Sequence, residues 1–128
     1  MKICITSSGS DLSSSVDPRF GRCAYFIFLD TKSKEDFEAV PNAGSGAVRG
    51  AGVQASQTVA DHKAEAVITG NMGPNSFSVL SASGIKVFQA SPGMEVRKAA
   101  EELEKGALQE ITRPFGRFGP GRFGRGGR

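Results

Sequence analysis

At 128 residues, 38% of them hydrophobic, the chain has the length of one domain with a core large enough to fold without disulfide or metal staples. No stretch reaches the roughly 18 consecutive apolar residues of a membrane span, and the start, Met1 to Ile5, lacks the apolar run and cleavage site of a signal peptide, which predicts a cytoplasmic protein with no membrane partner. The net charge of +3 divides unevenly: residues 113–128 hold five arginines and no acid, and the other eleven basic and thirteen acidic residues leave the body at −2.

In chain order, Lys2 to Thr6 alternates and is β-branched, which predicts a first strand, and Ser7 to Arg22 is a Ser/Gly/Asp loop closed by Asp17-Pro18-Arg19-Phe20-Gly21-Arg22. Tyr25 to Leu29 is an aromatic second strand, and after a polar turn a weaker strand, Asp36 to Val40, returns beside it as a hairpin that Pro41 closes. Asn42 to Gly52 is a glycine-rich loop, and Val53 to Lys63 predicts a modest helix. Ala66 to Ile68 reads as a strand buried on both faces. It breaks at Thr69-Gly70-Asn71-Met72-Gly73 into a turn whose glycines suggest backbone angles closed to other residues, and Pro74 suits the first position of the next helix, which stops near Gly84. Ile85 to Phe88 is another buried strand. Ser91-Pro92 offers a start for a last helix, with Val96, Ala99, Ala100 and Leu103 at i, i+3, i+4 and i+7 and Gly106 as its stop. Hairpins suffice for the first three strands, whereas the later ones need right-handed helical crossovers and run parallel. The expected fold class is therefore α/β, a mixed sheet flanked by helices. Ligands in such sheets sit beyond the carboxyl ends of strands, so the loops after the first strand (Ser7 to Arg22) and the fourth (Gly70 to Gly73) are expected to face one another.

Several residues in these loops have chemistry to offer, each beside a plainer reading. Gly70, Asn71, Gly73 and Asn75 lie where the amides of a helix start would cradle an anion, although short glycine turns at strand-to-helix junctions are often structural, and neither a Walker nor a dinucleotide fingerprint is present. Arg19 and Arg22 bracket Phe20-Gly21 and suit carboxylate or phosphate oxygens, unless they are solvated or Asp17 pairs with Arg19. Cys23, next to Arg22, reads either as a thiolate favoured by positive charge, able to ligate a soft metal or an iron–sulfur cluster, or as a small half-buried residue at a strand start. His62 is the single histidine; near a helix end it reads as a capping side chain or, without a histidine partner, as a metal ligand. Cys4 and Cys23 are expected as free thiols. The first strand carries no carboxylate for a two-metal nuclease, and no acid–base set stands out, which favours a binding protein over an enzyme.

Taken together, Asp17-Pro-Arg-Phe-Gly-Arg22 followed by an aromatic strand, the glycine loop Gly44 to Gly52, Ala66-Val-Ile-Thr-Gly-Asn-Met-Gly-Pro-Asn75 and Gly84-Ile-Lys-Val87 resemble the dinitrogenase iron–molybdenum cofactor biosynthesis family, which includes NifX-like proteins and the carboxyl-terminal domain of NifB. The resemblance covers Met1 to about Ile111. It implies a ribonuclease-H-like three-layer α/β fold with a five-stranded mixed sheet in the order 3-2-1-4-5. It also implies non-catalytic binding or carriage of an iron–molybdenum or iron–sulfur cofactor, or a precursor, in metallocluster assembly for nitrogen fixation, with protein donors and acceptors of the cluster as partners. The expected cofactor-binding residues are Arg19, Phe20, Gly21, Arg22, Cys23, Gly70, Asn71, Gly73 and Asn75, with Cys23 and His62 as candidate metal ligands.

The chain thus divides into a domain over residues 1–111 and an Arg/Gly/Phe tail over 112–128, expected to be disordered and not part of the shared motifs. Arginine and phenylalanine in such a segment make weak, salt-sensitive nucleic-acid contact an alternative function, alongside docking to another protein.

Overall fold

The computed structural model describes residues 1–112. The tail expectation falls outside them. Among the described residues the elements are β1 (Lys2–Ser7), β2 (Tyr25–Asp30), β3 (Glu38–Pro41), α1 (Ala51–Asp61), β4 (Ala66–Thr69), α2 (Pro74–Ala82), β5 (Lys86–Gln89), α3 (Val96–Glu104) and β6 (Gln109–Ile111). One sheet holds all six strands in the order β3-β2-β1-β4-β5-β6. β1 pairs antiparallel with β2 and parallel with β4, β4 pairs parallel with β5, and β3 closes the expected hairpin with Tyr25 opposite Pro41. The expected mixed sheet and its 3-2-1-4-5 order are present. β6 extends it by one short antiparallel edge strand on β5, with Val87 opposite Ile111.

The central strands are apolar on both sides because both sides are covered. Ile3, Ile5, Ile27, Leu29 and Ile68 pack with Val96, Ala99, Ala100 and Leu103 of α3, the stripe expected from its spacing, and with Leu12 and Val16 of the first loop. Cys4, Phe26, Phe28, Val67 and Val87 on the opposite face pack with Ala55 and Val59 of α1 and Leu80 of α2. α1 and α2 therefore share one layer and α3 forms the other.

Two helix starts differ from expectation. α1 begins at Ala51, two residues before Val53, because Gly50 takes a φ of 80° that turns the loop straight into the helix. α3 begins at Val96 and not after Ser91-Pro92, because Gly93 at φ 87° makes a turn in which the Met94 amide donates to the Ser91 carbonyl at 3.0 Å. Its first amides then donate to the first loop, Val96 to the Ser14 carbonyl at 2.8 Å and Arg97 to that of Leu12 at 3.0 Å.

Candidate functional site

β1 and β4 lie side by side and end together. The hydroxyls of Thr6 and Thr69, both buried, are 2.9 Å apart, and Thr6 Oγ1 donates to the Asp17 carbonyl at 2.8 Å while the Asp17 amide donates back to the Thr6 carbonyl at 2.9 Å. These bonds fold the first loop over the strand ends. There Arg19 forms a parallel bridge with Asn71, and the Phe20 amide donates to the Asn71 carbonyl at 3.2 Å. The loops after β1 and β4 thus meet as expected.

The reason for the glycines in the second loop needs correcting. Neither Gly70 nor Gly73 has a positive φ. Gly70 is required by close approach, since a Cβ there would lie 2.7 Å from the Cα of Pro18. Gly73 meets no such limit: a Cβ would find nothing within 4 Å.

Both helices of one layer start at this junction. A Cβ on Gly21 would lie 2.9 Å from the Gly52 nitrogen, and one on Gly52 would lie 2.2 Å from Ser76 Oγ, so the first loop, the α1 start and the α2 start are in contact. Neither helix has a side-chain cap or an acid in its first turn. The first intrahelical bonds are donated by the amides of Gln54, to Gly50 at 2.9 Å, and Phe77, to Gly73 at 3.1 Å. The amides of Ala51, Gly52 and Val53 and of Asn75 and Ser76 precede those bonds, and two positive dipole ends stand together where an anion is favoured.

The arginines do not form the expected open pair. Arg19 Nε donates to Asp17 Oδ1 at 3.3 Å and Nη2 faces Oδ2 at 3.5 Å, which is the pairing weighed as the alternative. Arg22 turns away and donates through Nη1 to the carbonyls of Ser45, at 3.0 Å, and Ala47, strapping the glycine loop. The same loop is tied by Asn42, whose buried amide donates to the carbonyls of Gly21 at 3.0 Å and Cys23 at 2.9 Å, and whose Oδ1 accepts from the Gly44 amide at 3.1 Å. The expected site residues include neither Asn42 nor the α1 start; an Asn placed two residues before Gly44 is an Asx-turn signal that marks the first of them.

The two candidate metal ligands lie apart in the structure. Cys23 is in the first loop but fully buried; Sγ donates to the Phe20 carbonyl at 3.4 Å, and burial, with the Asp17 carboxylate second, pushes its pKa up to about 12. Arg22 faces elsewhere, so the positive charge expected to favour the thiolate is not beside it. Cys4 is likewise buried, with its pKa raised by burial and then by Cys23, and both cysteines are free as expected. His62 follows the far end of α1. Its ring stacks on Phe28 with centroids 4.2 Å apart, and Nδ1 lies 2.9 Å from the Thr58 carbonyl. It shares no contact with the Arg19, Asn71 and Gly73 cluster, because α1 carries it to the strand-start end of β4. Among the described residues no group of three or more His, Cys, Asp or Glu is placed to hold a metal ion, and no helix is long and apolar enough to cross a membrane.

The chain is 37% identical to the orange protein of Desulfovibrio gigas, whose apo-form structure superposes with a TM-score of 0.86 over 90% of this chain and 96% of that one. It is 36% identical to a NifB candidate of the DUF35 family from Thermotoga, with a TM-score of 0.75 over 98% of each chain. It is also 30% identical over 93 residues to an uncharacterized protein of Methanocaldococcus jannaschii, covering 71% of this chain and 75% of that protein. The model of the dinitrogenase iron-molybdenum cofactor family matches residues 1–106, and the chain belongs to that family.

Proposed function

We propose that this chain binds and carries an anionic iron–molybdenum or iron–sulfur cofactor, or a precursor of one, without transforming it, and passes it between protein donors and acceptors. The observation that carries this reading is the meeting of two uncapped helix starts, Ala51-Gly52-Val53 and Asn75-Ser76, beside open space at Gly73. The donor set fits a cargo whose metals are already ligated. Backbone amides and Arg19 meet negative charge on its outer atoms, and among the described residues no group of three or more His, Cys, Asp or Glu is placed to hold a metal ion. Arg19, Phe20, Gly21, Asn71, Gly73 and Asn75 then make the contact surface, and Arg22 and Cys23 serve by holding the loops, Arg22 through the Ser45 and Ala47 carbonyls and Cys23 through the core. A cargo held through hydrogen bonds and charge contacts suits a carrier, because release then costs only those contacts.

The test is anaerobic reconstitution with iron, sulfide and molybdate, followed by desalting, a visible spectrum and metal analysis. Wild type is expected to retain iron and molybdenum in fixed proportion to protein, Cys23→Ala to retain them equally, and Gly73→Asp to lose them. A colourless, metal-free wild type overturns the proposal.

A further inference from the structure

We infer that Asp17 is a positioning residue for the cargo: its buried carboxylate fixes the Arg19 guanidinium on the loop that meets the α1–α2 junction through Gly21, before anything binds. This inference rests on the cargo site proposed above. The side chain of Asp17 is 7% exposed against 64% for Arg19. Its backbone is pinned to β1 on both sides, through the Thr6 carbonyl and the Thr6 hydroxyl. One oxygen, Oδ1, accepts the Arg19 amide at 2.9 Å and Nε at 3.3 Å; the other, Oδ2, faces Nη2 at 3.5 Å.

A turn alone does not require this carboxylate. An asparagine would accept the Arg19 amide through its single oxygen and complete the same Asx turn without a charge. A buried negative charge beside a site for anions is unfavourable in itself, since like charges repel most where water is excluded. What the second oxygen adds is a fork that matches the guanidinium edge. An arginine held this way has already lost the side-chain freedom that a free one loses on each binding event. Its Nη1 edge, not used in the pair, is left for the cargo.

The test compares wild type, Asp17→Asn, Arg19→Ala and the double variant in the full chain, each loaded anaerobically with iron, sulfide and molybdate, with cluster dissociation constants measured in 0.05 M and 0.5 M salt. At 0.5 M salt, which screens the exposed Arg19 charge but the buried Asp17 carboxylate much less, Asp17→Asn is expected to weaken retention about fivefold, the cost of ordering one freed arginine. In the Arg19→Ala background at the same 0.5 M salt the same change is expected to tighten retention about twofold to fivefold, because only the repulsive buried charge is then removed. A change of sign with background marks positioning; weakening in both backgrounds marks a turn defect and overturns the inference. If wild type retains no cluster, the cargo reading has failed. Positioning is then judged from the Arg19 Nε–H signal in NMR of the free protein, whose exchange with water is slowed in wild type and fast in Asp17→Asn; equal exchange in the two proteins overturns it as well.

Discussion

Gly73→Asp should make this protein more stable and less able to hold its cargo. Gly73 caps α2 with φ −77° and ψ 170°, an extended conformation open to any residue, and a Cβ there meets nothing within 4 Å. An aspartate fits that position. As a cap it is worth a few tenths of a kcal/mol over glycine. Loss of glycine's freedom in the unfolded chain adds about 0.4–1 kcal/mol, and a carboxylate on the helix dipole adds about 0.3–1 kcal/mol. The gain of about 1–2 kcal/mol raises Tm by roughly 4–8 °C in a domain of this size. The same carboxylate stands where the cargo's charge is proposed to sit. At about 4 Å and an effective dielectric of about 20, each pair of unit charges repels by at most ~4 kcal/mol, so retention should fall by up to about a thousandfold for each such pair. Gly73→Asn separates the two effects, since it caps without charge and should raise Tm less and weaken retention less. Thermal unfolding and metal retention after reconstitution are the two assays. A Gly73→Asp protein that is more stable and still holds cluster as wild type does would refute the placement of cargo at the α2 start; one that is less stable would refute the reading of open space at the cap.

Gly70→Ala should destabilise by about 1–3 kcal/mol by urea unfolding, because its Cβ meets the backbone of Pro18 at 2.7 Å and the first loop must shift; Gly73→Ala should not, and equal effects would sink the distinction. Asn42→Ala should cost about 1–3 kcal/mol, since it strips the buried Cys23 carbonyl and the part-buried Gly21 carbonyl of their donor, and a Tm unchanged from wild type would count against that tie. Stability should also fall above about pH 9. The folded state keeps the proton on Cys23 up to about 12, and Cys4 shifts the same way, while the unfolded chain gives thiol protons up near the ordinary value of 9.0. Below that pH both states are protonated and the thiols add no slope. Between about pH 9 and 12 Cys23 removes about 1.4 kcal/mol per pH unit, and Cys4 acts in the same direction. Urea midpoints at pH 8 and pH 10 check this: Cys23→Ala should show the shallower loss, and an identical loss would refute it.

Much of the layer architecture was legible because it depends on periodicity. Val96, Ala99, Ala100 and Leu103 mark the inward stripe of α3 by spacing alone, and the apolar runs of β1, β2 and β4 follow from burial on both faces. β6 was not legible. Gln109–Ile111 is three residues long and mostly exposed, and it is a strand because β5 offers it a free edge. At the site, the meeting of the two loops followed from topology, and the Asp17–Arg19 pair was one of two readings that local spacing allowed. The partners of Arg22 were beyond reach: they are backbone carbonyls of Ser45 and Ala47, and every residue carries one. Cys23 shows the same limit. Its neighbour in sequence is a cation, but its neighbours in space are the Phe20 carbonyl and the core, and burial outweighs Arg22.

The three helices also act as controls for one another. α3 lacks a side-chain cap, yet the fold supplies the Ser14 and Leu12 carbonyls to its first amides from the loop that also packs Leu12 and Val16 against it. The same chain leaves α1 and α2 with glycine at the cap, no acid in either first turn, and their starts in contact with each other. At Gly73 nothing steric prevents a better cap, and a stabilising residue there is easily reached by mutation. A local rule that is met at one helix start and broken at the two that converge points to a demand other than stability. The proposed guest is negatively charged and would take the amides of these helix starts, and Asp17, the one buried carboxylate among the described residues, is already engaged with Arg19. On this reading the missing caps are the binding surface itself, which is why filling one of them should strengthen the fold and empty the site.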